Sequence, residues 1–258
     1  MIMVRGKATA DGCTYLIKNR DMGTQIQQAV IKREKSDGTG IIEVNGAGTV
    51  TYPASGMNSF GLGVATTGFW SKSAPPNLEE VDAAHIFVNI RLLLENCRTA
   101  KEVIEYLKTS PRMNGLNIIA ADEKDAFVIE TTRDAMYIEE DNGSGMLYRT
   151  NHYTLPEIKH LNPDPQEYQS TYKRSKRIGQ MLKERYGKIR FQDLFRIMSD
   201  HENGINSICR HPKGDVLANT VSSSLVVLED REAWTSIGNP CISLRYASLI
   251  KKEAFTGE

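Results

Sequence analysis

The sequence predicts an α+β fold of four layers, with two antiparallel sheets between two layers of helices. Two observations predict this fold. Segments with the two-residue alternation of strands are separated into blocks from segments with the 3.6-residue period of helices. The blocks follow the order strands, two helices, strands, two helices, strands, and segregated blocks of this kind favour stacked layers.

The length, charge and cysteine content limit the class of protein. The 258 residues can bury a large core, and we expect one domain over residues 1–258. Basic and acidic residues number 32 each, so the formal charge gives no sign of nucleic acid or an anionic membrane as a partner. The sequence has no apolar run near the roughly 18 residues of a membrane span, and no signal-peptide pattern. Four scattered cysteines without a CxxC pair favour a reducing, cytoplasmic setting.

The first block of strands begins with a hairpin over residues 1–21. Met1 to Val4 is apolar, Asp11-Gly12 is a turn signal, and Tyr15-Leu16-Ile17 favours a strand. The second strand ends in four polar residues, Lys18-Asn19-Arg20-Asp21. Further strands are expected over residues 25–33 and 41–44, and a glycine-rich turn leads into a strand ending at Val64.

Two pairs of helices interrupt the strands. Asn77 can cap the first helix, whose apolar face is expected to hold Ile86, Ile90, Leu93 and Leu94. Thr99 is expected to begin the second helix, with Glu102 completing a capping box. The third helix is expected over residues 169–186, and the fourth carries Phe191, Leu194, Phe195 and Met198.

The remaining strands lie between and after these helices. Strands are expected over residues 116–120, 126–130, 135–138 and 147–148. The last block is expected to contain strands over residues 207–210 and 220–228, and a final piece through Ile242 and Leu244.

Four polar groups could carry chemistry: residues 18–21, residues 149–152, the helical stretch 170–177 with Arg174 and Arg177, and residues 199–212. The last group contains four potential metal ligands, Asp200, His201, Cys209 and His211. Cys241, which is distant in sequence, could be a fifth ligand. Its spacings match no standard zinc pattern, so a buried polar network is favoured and no metal or other cofactor is expected. A serine hydrolase is disfavoured because no Gly-x-Ser-x-Gly elbow follows a strand.

Taken together, these segments resemble the penicillin acyltransferase-like family of N-terminal-nucleophile amidohydrolases. The resemblance spans nearly the whole chain and depends on the order and spacing of short segments, since each is weak alone. The segments are 7–12, 18–21, 55–64, 150–152, 170–174, 200–201, 208–212, 220–223 and 238–241. Related dipeptidases and bile-salt hydrolases share the early part, whereas Ile208-Cys-Arg-His-Pro212 favours the acyltransferase-like branch.

The resemblance implies a four-layered αββα fold and cleavage of a linear amide, or acyl transfer, by an N-terminal cysteine. A free α-amine has a pKa of roughly 7.7–8, so one terminal residue can supply both the nucleophile and its base. The implied partner is a small amide or acyl substrate. The sequence leaves a homo-oligomer open.

The sequence departs from the family at the nucleophile. Counting back from residues 19–21, the family's cysteine falls at or just before residues 1–3, which are Met1, Ile2 and Met3. Three explanations remain open. The cysteine lies upstream of Met1, or Cys13 is the nucleophile after cleavage behind Gly12, or the chain has lost catalysis and retains ligand binding. Only five residues separate Cys13 from Asn19, which is too few for the hairpin.

The resemblance assigns the other roles by position. Asp21 should orient the terminal amine and thiol, and Lys18 stands where relatives often carry an Arg. Asn151 is the candidate oxyanion donor, and Arg174 is the candidate for holding Asn151 or a substrate carboxylate, with Arg177 as the alternative. We therefore expect Asp21, Asn151 and Arg174 to converge on the N-terminus. A non-catalytic binding protein on the same fold is the alternative function.

Overall fold

The structure is a computed structural model that describes residues 1–22, 28–46, 53–73, 83–112, 114–214 and 218–250. In these ranges the strands form two antiparallel sheets. The first sheet has six strands in the spatial order β10 (Met146–Tyr148), β1 (Ile2–Gly6), β2 (Gly12–Met22), β11 (Asn219–Val227), β12 (Glu232–Ile237) and β13 (Arg245–Leu249). No helix in these ranges is both long and apolar enough to cross a membrane.

The second sheet has seven strands that follow the chain order. They are β3 (Gln28–Glu34), β4 (Gly40–Gly46), β5 (Ser55–Asn58), β6 (Gly63–Gly68), β7 (Leu116–Ala121), β8 (Ala126–Thr131) and β9 (Met136–Glu140). The described ranges also contain four α-helices: α1 (Ala83–Asn96), α2 (Ala100–Thr109), α3 (Gln169–Glu184) and α4 (Phe191–Met198).

Three apolar clusters show how these elements are layered. One cluster joins the two sheets, with Met3 and Leu16 against Met57 and Ile119 among its members. A second packs the six-stranded sheet on α3 and α4, and a third packs the seven-stranded sheet on α1 and α2. The order is therefore helices, sheet, sheet, helices. The predicted α+β sandwich with two antiparallel sheets between helix layers is confirmed.

The N-terminal hairpin is present, and its pleat decides which side chains face the site. Ile2 pairs with Ile17 and Met3 pairs with Leu16. Because side chains alternate across a strand, Ile2 and Ile17 face the helices, whereas Met1, Met3 and Leu16 face the other sheet. Lys18 follows the same alternation and faces the other sheet beside Met1.

The helix predictions hold where the structure describes the residues. Thr99 caps α2 and accepts a hydrogen bond from the Glu102 backbone N–H at 3.2 Å. The Glu102 carboxylate accepts from the Arg98 N–H at 2.6 Å, one residue before the expected partner. The predicted Asn77 cap and the Ile86 side chain lie outside the described residues.

A small residue in the second sheet allows close packing of a helix on the sheet. A Cβ at Gly56 would lie 2.6 Å from the Ile42 carbonyl oxygen and 2.7 Å from Leu94 Cδ1. Gly56 therefore allows α1 to approach β4 and β5 closely.

Two strand predictions near the C-terminus are wrong. Residues 207–210 form no strand, because the Cys209 N–H donates to the Asp200 carbonyl at 3.0 Å and the Ile208 carbonyl accepts from the Asn19 side chain. The last strand begins at Arg245, after Ile242 and Leu244, both of which are highly exposed. Strand β12 was not predicted.

Candidate active site

A cavity of about 230 Å³ opens where the beginning of β1 and the end of β2 lie against the end of β6 and the beginning of β7. Polar residues from the hairpin and from residues 150–151 form one part of its lining, and α3 contributes Arg174. Apolar side chains that include Pro53, Ile90, Leu116 and Ile208 form the rest. A mostly apolar cleft with a few convergent polar groups is typical of a small-molecule site.

The α-amine of Met1 lies at this cavity and is buried. It donates a hydrogen bond to the Arg149 carbonyl at 2.8 Å, and the Arg149 N–H donates to the Met1 carbonyl at 3.0 Å. Burial is the largest cause that lowers the pKa of this amine well below its ordinary value. The positive charges of Lys18 and Arg174 lower the pKa further, whereas Asp21 opposes them. The lowered pKa favours the neutral form of the amine, which can accept a proton.

Asp21 is held at the cavity by the neighbouring strand. Its register partner is Thr220 on β11, whose hydroxyl donates to Asp21 Oδ1 at 2.7 Å. The backbone register shifts between Thr220 and Ser222, directly beside this pair. A bulge of this kind re-aims the side chains next to it, and here it lies at the edge of the cavity.

Asn151 is oriented by contacts on both sides of its amide. Arg174 donates to Asn151 Oδ1 at 3.0 Å, and Asn151 Nδ2 donates to the Gly68 carbonyl at 2.7 Å. Because a guanidinium only donates, its contact identifies the oxygen of the amide. For the second Nδ2 hydrogen, the part of the chain that the structure describes provides no acceptor.

The segment that carries Asn151 is fixed by the second sheet and by α3. The Thr150 carbonyl accepts from Thr67 Oγ1 at 2.7 Å and from Asn117 Nδ2 at 3.0 Å. The Asn151 N–H donates to Thr171 Oγ1 on α3 at 2.7 Å. His152 Nδ1 lies 2.9 Å from the same hydroxyl. Two layers of the fold, the second sheet and the helix layer that contains α3, therefore position the segment that carries Asn151.

The two helical arginines have different partners. Arg174 lines the cavity and donates a hydrogen bond to Asn151. Arg177 donates to Asp200 Oδ2 from Nε at 3.0 Å and from Nη2 at 2.8 Å. Arg177 therefore supports the loop after α4 and does not line the cavity.

Lys18 brings an amine into the same cavity. Its side chain is only 9% exposed. Burial lowers the pKa of Lys18 from 10.5 to about 8, Arg20 and Arg174 lower it as well, and Asp21 opposes the change. The structure therefore gathers Met1, Lys18, Asp21, Asn151 and Arg174 around one cavity.

Comparison with known proteins decides the family. The model of the acyl-coenzyme A:6-aminopenicillanic acid acyl-transferase family matches residues 8–241. The chain belongs to this family. No protein of curated function is similar enough in sequence to count as a relative.

Solved structures share the fold of this acyl-transferase family member. Penicillin V acylase from Agrobacterium tumefaciens has a TM-score of 0.63 at 14% identity, covering 95% of this chain and 84% of the other. A variant of conjugated bile acid hydrolase from Clostridium perfringens has a TM-score of 0.61 at 16% identity, covering 100% of both chains. The Caenorhabditis elegans N-acylethanolamine-hydrolyzing acid amidase ortholog has a TM-score of 0.60 at 17% identity, covering 88% and 91%.

Cys13, the alternative nucleophile, does not line the cavity of this acyl-transferase family member. It lies at the far end of β2, five residues from Lys18, which is about 16 Å along a strand. It packs against the cluster beneath α3 and α4. Burial is the largest cause that raises the pKa of the Cys13 thiol, and nearby carboxylates add to it. A raised pKa disfavours the thiolate that attack requires.

Residues 200–212 form a separate polar cluster. His201, Cys209 and His211 were read as structural residues that bind no metal. The structure brings the three side chains together, and Cys241 joins them from the loop after β12. The absence of a metal stays a prediction, and the geometry of this cluster is considered below.

Sequence reasoning missed most residues that hold the site in place. Thr67, Asn117, Thr171 and Thr220 all bond to the residues of the cavity wall. Asn19 was noted only as part of a polar run, and its Nδ2 donates to the Met198 carbonyl at 2.8 Å and the Ile208 carbonyl at 3.1 Å. The available signal was polar residues on strands that otherwise alternate with core residues.

Proposed function

We propose that this protein is an amidohydrolase or acyltransferase that acts on a small linear amide in the cavity at the beginning of β1. The single observation that carries the proposal is the arrangement around the α-amine of residue 1. A buried amine with a lowered pKa lies with Asp21 and Arg174 at a cavity that also presents an oriented Asn151. A base, an oxyanion donor and a site for the acyl group are therefore in one place.

We propose that the attacking group is the thiol of a cysteine at the beginning of β1, at or immediately before position 1. The pleat supports position 1, because its side chain and Lys18 lie on the same face beside the cavity. A preceding residue would face the helices by alternation. The printed sequence has Met1 here, and a thioether carries no proton and does not attack amides.

The proposed reaction proceeds through an acyl-enzyme. The α-amine takes the proton of the thiol, and the thiolate attacks the carbonyl carbon of the substrate. Asn151 Nδ2 donates to the oxyanion that forms, while Arg174 holds the amide in this orientation. The C–N bond then breaks, and the leaving amine receives the proton from the α-ammonium. Water or an acceptor amine releases the acyl group and regenerates the thiol.

Two variants at the N-terminus test the proposal. The first is Met1→Cys, made with an initiator methionine that is removed ahead of the cysteine. The second places an additional cysteine before Met1. The hydrolysis of short-chain acyl anilides by both variants is compared with that by the unaltered protein. Mass spectrometry of the intact proteins confirms each N-terminus. We expect little or no hydrolysis by the printed chain and measurable turnover by Met1→Cys.

Further substitutions in the active variant test the assigned roles. Asn151→Ala should lower kcat by roughly 10²–10³, the usual loss for one oxyanion donor. Asn96→Ala, which removes an exposed amide at the end of α1, is the matched control and should leave the rate unchanged. Cys13→Ser should also leave it unchanged.

Two results would contradict the proposal. One is an inactive Met1→Cys variant and an inactive extended variant, both folded and both binding an acyl amide, which would favour the binding protein. The other is loss of residues 1–12 in the purified protein together with activity that Cys13→Ser abolishes. That result would assign the nucleophile to Cys13.

A further inference from the structure

Four side chains outside the cavity form a compact group of potential metal ligands. The ligand atoms of His201, Cys209, His211 and Cys241 all lie within 4.8 Å of one another. The two Nε2 atoms are 3.1 Å apart, and the two Sγ atoms are 3.7 Å apart. His211 Nε2 lies 3.3 Å from Cys241 Sγ and 3.8 Å from Cys209 Sγ.

These separations agree with the edges of a tetrahedron around one zinc ion. Zinc bonds of about 2.3 Å to sulfur and about 2.0–2.1 Å to nitrogen place two sulfurs about 3.8 Å apart and two nitrogens about 3.3 Å apart. A mixed pair should then lie about 3.5 Å apart. Four of the six edges therefore fall within about 0.3 Å of these values. The other two, from His201 to the two sulfurs, are no longer than 4.8 Å. Two thiolates and two imidazoles in this arrangement select zinc over the hard cations.

We propose that His201, Cys209, His211 and Cys241 bind one zinc ion in a structural site. Four protein ligands fill the tetrahedral positions and leave none open for a substrate or water, which is the pattern of structural rather than catalytic zinc. The irregular spacing along the chain argued against a metal at the level of sequence. That argument does not apply to this site, because Cys241 comes from a different segment, after β12, and need not follow a local spacing pattern.

The site joins segments that have little regular structure of their own. His201 follows α4, and a three-residue 3-10 turn is the regular structure described between α4 and Cys209. Cys241 lies between β12 and the edge strand β13. One ion bound by both segments would tie the loop after α4 to the far end of the six-stranded sheet, because metal binding free energy contributes directly to folding.

The segment of residues 201–211, which carries three of the four proposed ligands, is also connected to the cavity. Arg210 lies between two of the ligands, and its N–H donates to Thr220 Oγ1 at 2.8 Å. The Thr220 N–H donates to the Arg210 carbonyl at 2.9 Å, and its hydroxyl donates to Asp21 at 2.7 Å. Zinc would therefore hold Thr220 in the position that fixes Asp21.

Metal analysis of the intact, tag-free protein tests the proposal. Protein purified from zinc-supplemented cultures and dialysed against metal-free buffer should contain close to one zinc per chain by mass spectrometry. Cys209→Ser and Cys241→Ser should each lose most of it, and His201→Asn should weaken zinc binding at least tenfold in chelator competition. Cys97→Ser changes a cysteine buried beside α1 and α2 and is the matched control that should keep its zinc.

Cobalt gives a readout that does not depend on stability. Apo-protein titrated with Co²⁺ should develop the visible bands of tetrahedral cobalt and a thiolate charge-transfer band, saturating at one equivalent. Loss of either cysteine should abolish the charge-transfer band. Absence of zinc in the wild-type protein together with no cobalt–thiolate band would overturn the proposal. So would a Cys209–Cys241 disulfide whose reduction restores no binding, or zinc that survives Cys209→Ser.

Discussion

Replacing Lys18 with Met should stabilise the protein, although Lys18 lies in the candidate active site. The Lys18 side chain is 9% exposed, and burial is the main cause that lowers its pKa from 10.5 to about 8. At about 1.4 kcal/mol for each tenfold change, this difference corresponds to about 3 kcal/mol against the charged form in the folded state. Met has a similar shape and no charge, so its substitution removes this cost.

The sign and the pH window follow from the two pKa values. Below about pH 8 both the folded and the unfolded protein carry the Lys18 charge, so the full cost is present. Between about pH 8 and 10.5 the folded protein loses this proton while the unfolded chain keeps it. The free energy of unfolding of the wild type should therefore rise relative to Lys18→Met in this window.

Urea denaturation at a series of pH values measures the difference. We expect Lys18→Met to exceed the wild type by about 3 kcal/mol at pH 7 and to approach it above pH 10.5, with similar denaturant slopes. Lys7→Met removes a charge from an exposed position on the same hairpin and is the control. A Lys18→Met advantage that stays constant from pH 7 to 10.5, or a less stable variant at pH 7, would refute the reasoning.

Three further predictions follow from single contacts. Arg174→Lys keeps the charge but loses the planar guanidinium that donates to Asn151 Oδ1. When this change is made in the Met1→Cys variant, kcat from initial rates should fall at least tenfold, and circular dichroism should show that the fold is kept. Asn19→Ala leaves the buried Met198 and Ile208 carbonyls without their donor and should cost roughly 2–4 kcal/mol in urea denaturation; an unchanged midpoint would contradict the contact. Burial chiefly, with Arg149 and Arg174, lowers the pKa of His152 from 6.5 to about 4, so the protein should lose stability as pH falls from 6.5 to 4, and His152→Gln should flatten this slope in thermal scans.

The sequence predicted those parts of the fold in which the local pattern of apolar and turn residues matches the side chains that the structure buries in its core. The hairpin, the helix cap at Thr99 and the layered order of sheets and helices follow from alternation, turn residues and apolar faces. The wrong strand over residues 207–210 shows the limit of this reasoning. That segment is apolar enough for a strand, but side chains such as Asn19 use its backbone groups.

Long-range contacts explain what the sequence could not predict at the two sites. The family resemblance linked Arg174 to Asn151, but the residues alone could not place the two side chains in contact, because that contact depends on how α3 packs on the sheet. Cys241 was named with Cys209 as a possible ligand, but its position beside Cys209 could not be predicted while β12 was missing from the prediction. The Thr220 contact to Asp21 joins residues that are 199 positions apart. It lies where the pairing register of β2 and β11 shifts.

The charges at the cavity explain why the same residues both lower the stability of the folded protein and support the proposed chemistry. Lys18 and Arg174 both lower the pKa of the α-amine, and Asp21 is the carboxylate that opposes them. The positive charges that add to burial in lowering the pKa of this amine would also stabilise an oxyanion formed beside Asn151. The field also makes burial of Lys18 unfavourable. A variant stabilised by Lys18→Met should therefore have a more basic α-amine and, once a cysteine occupies position 1, a slower acylation step.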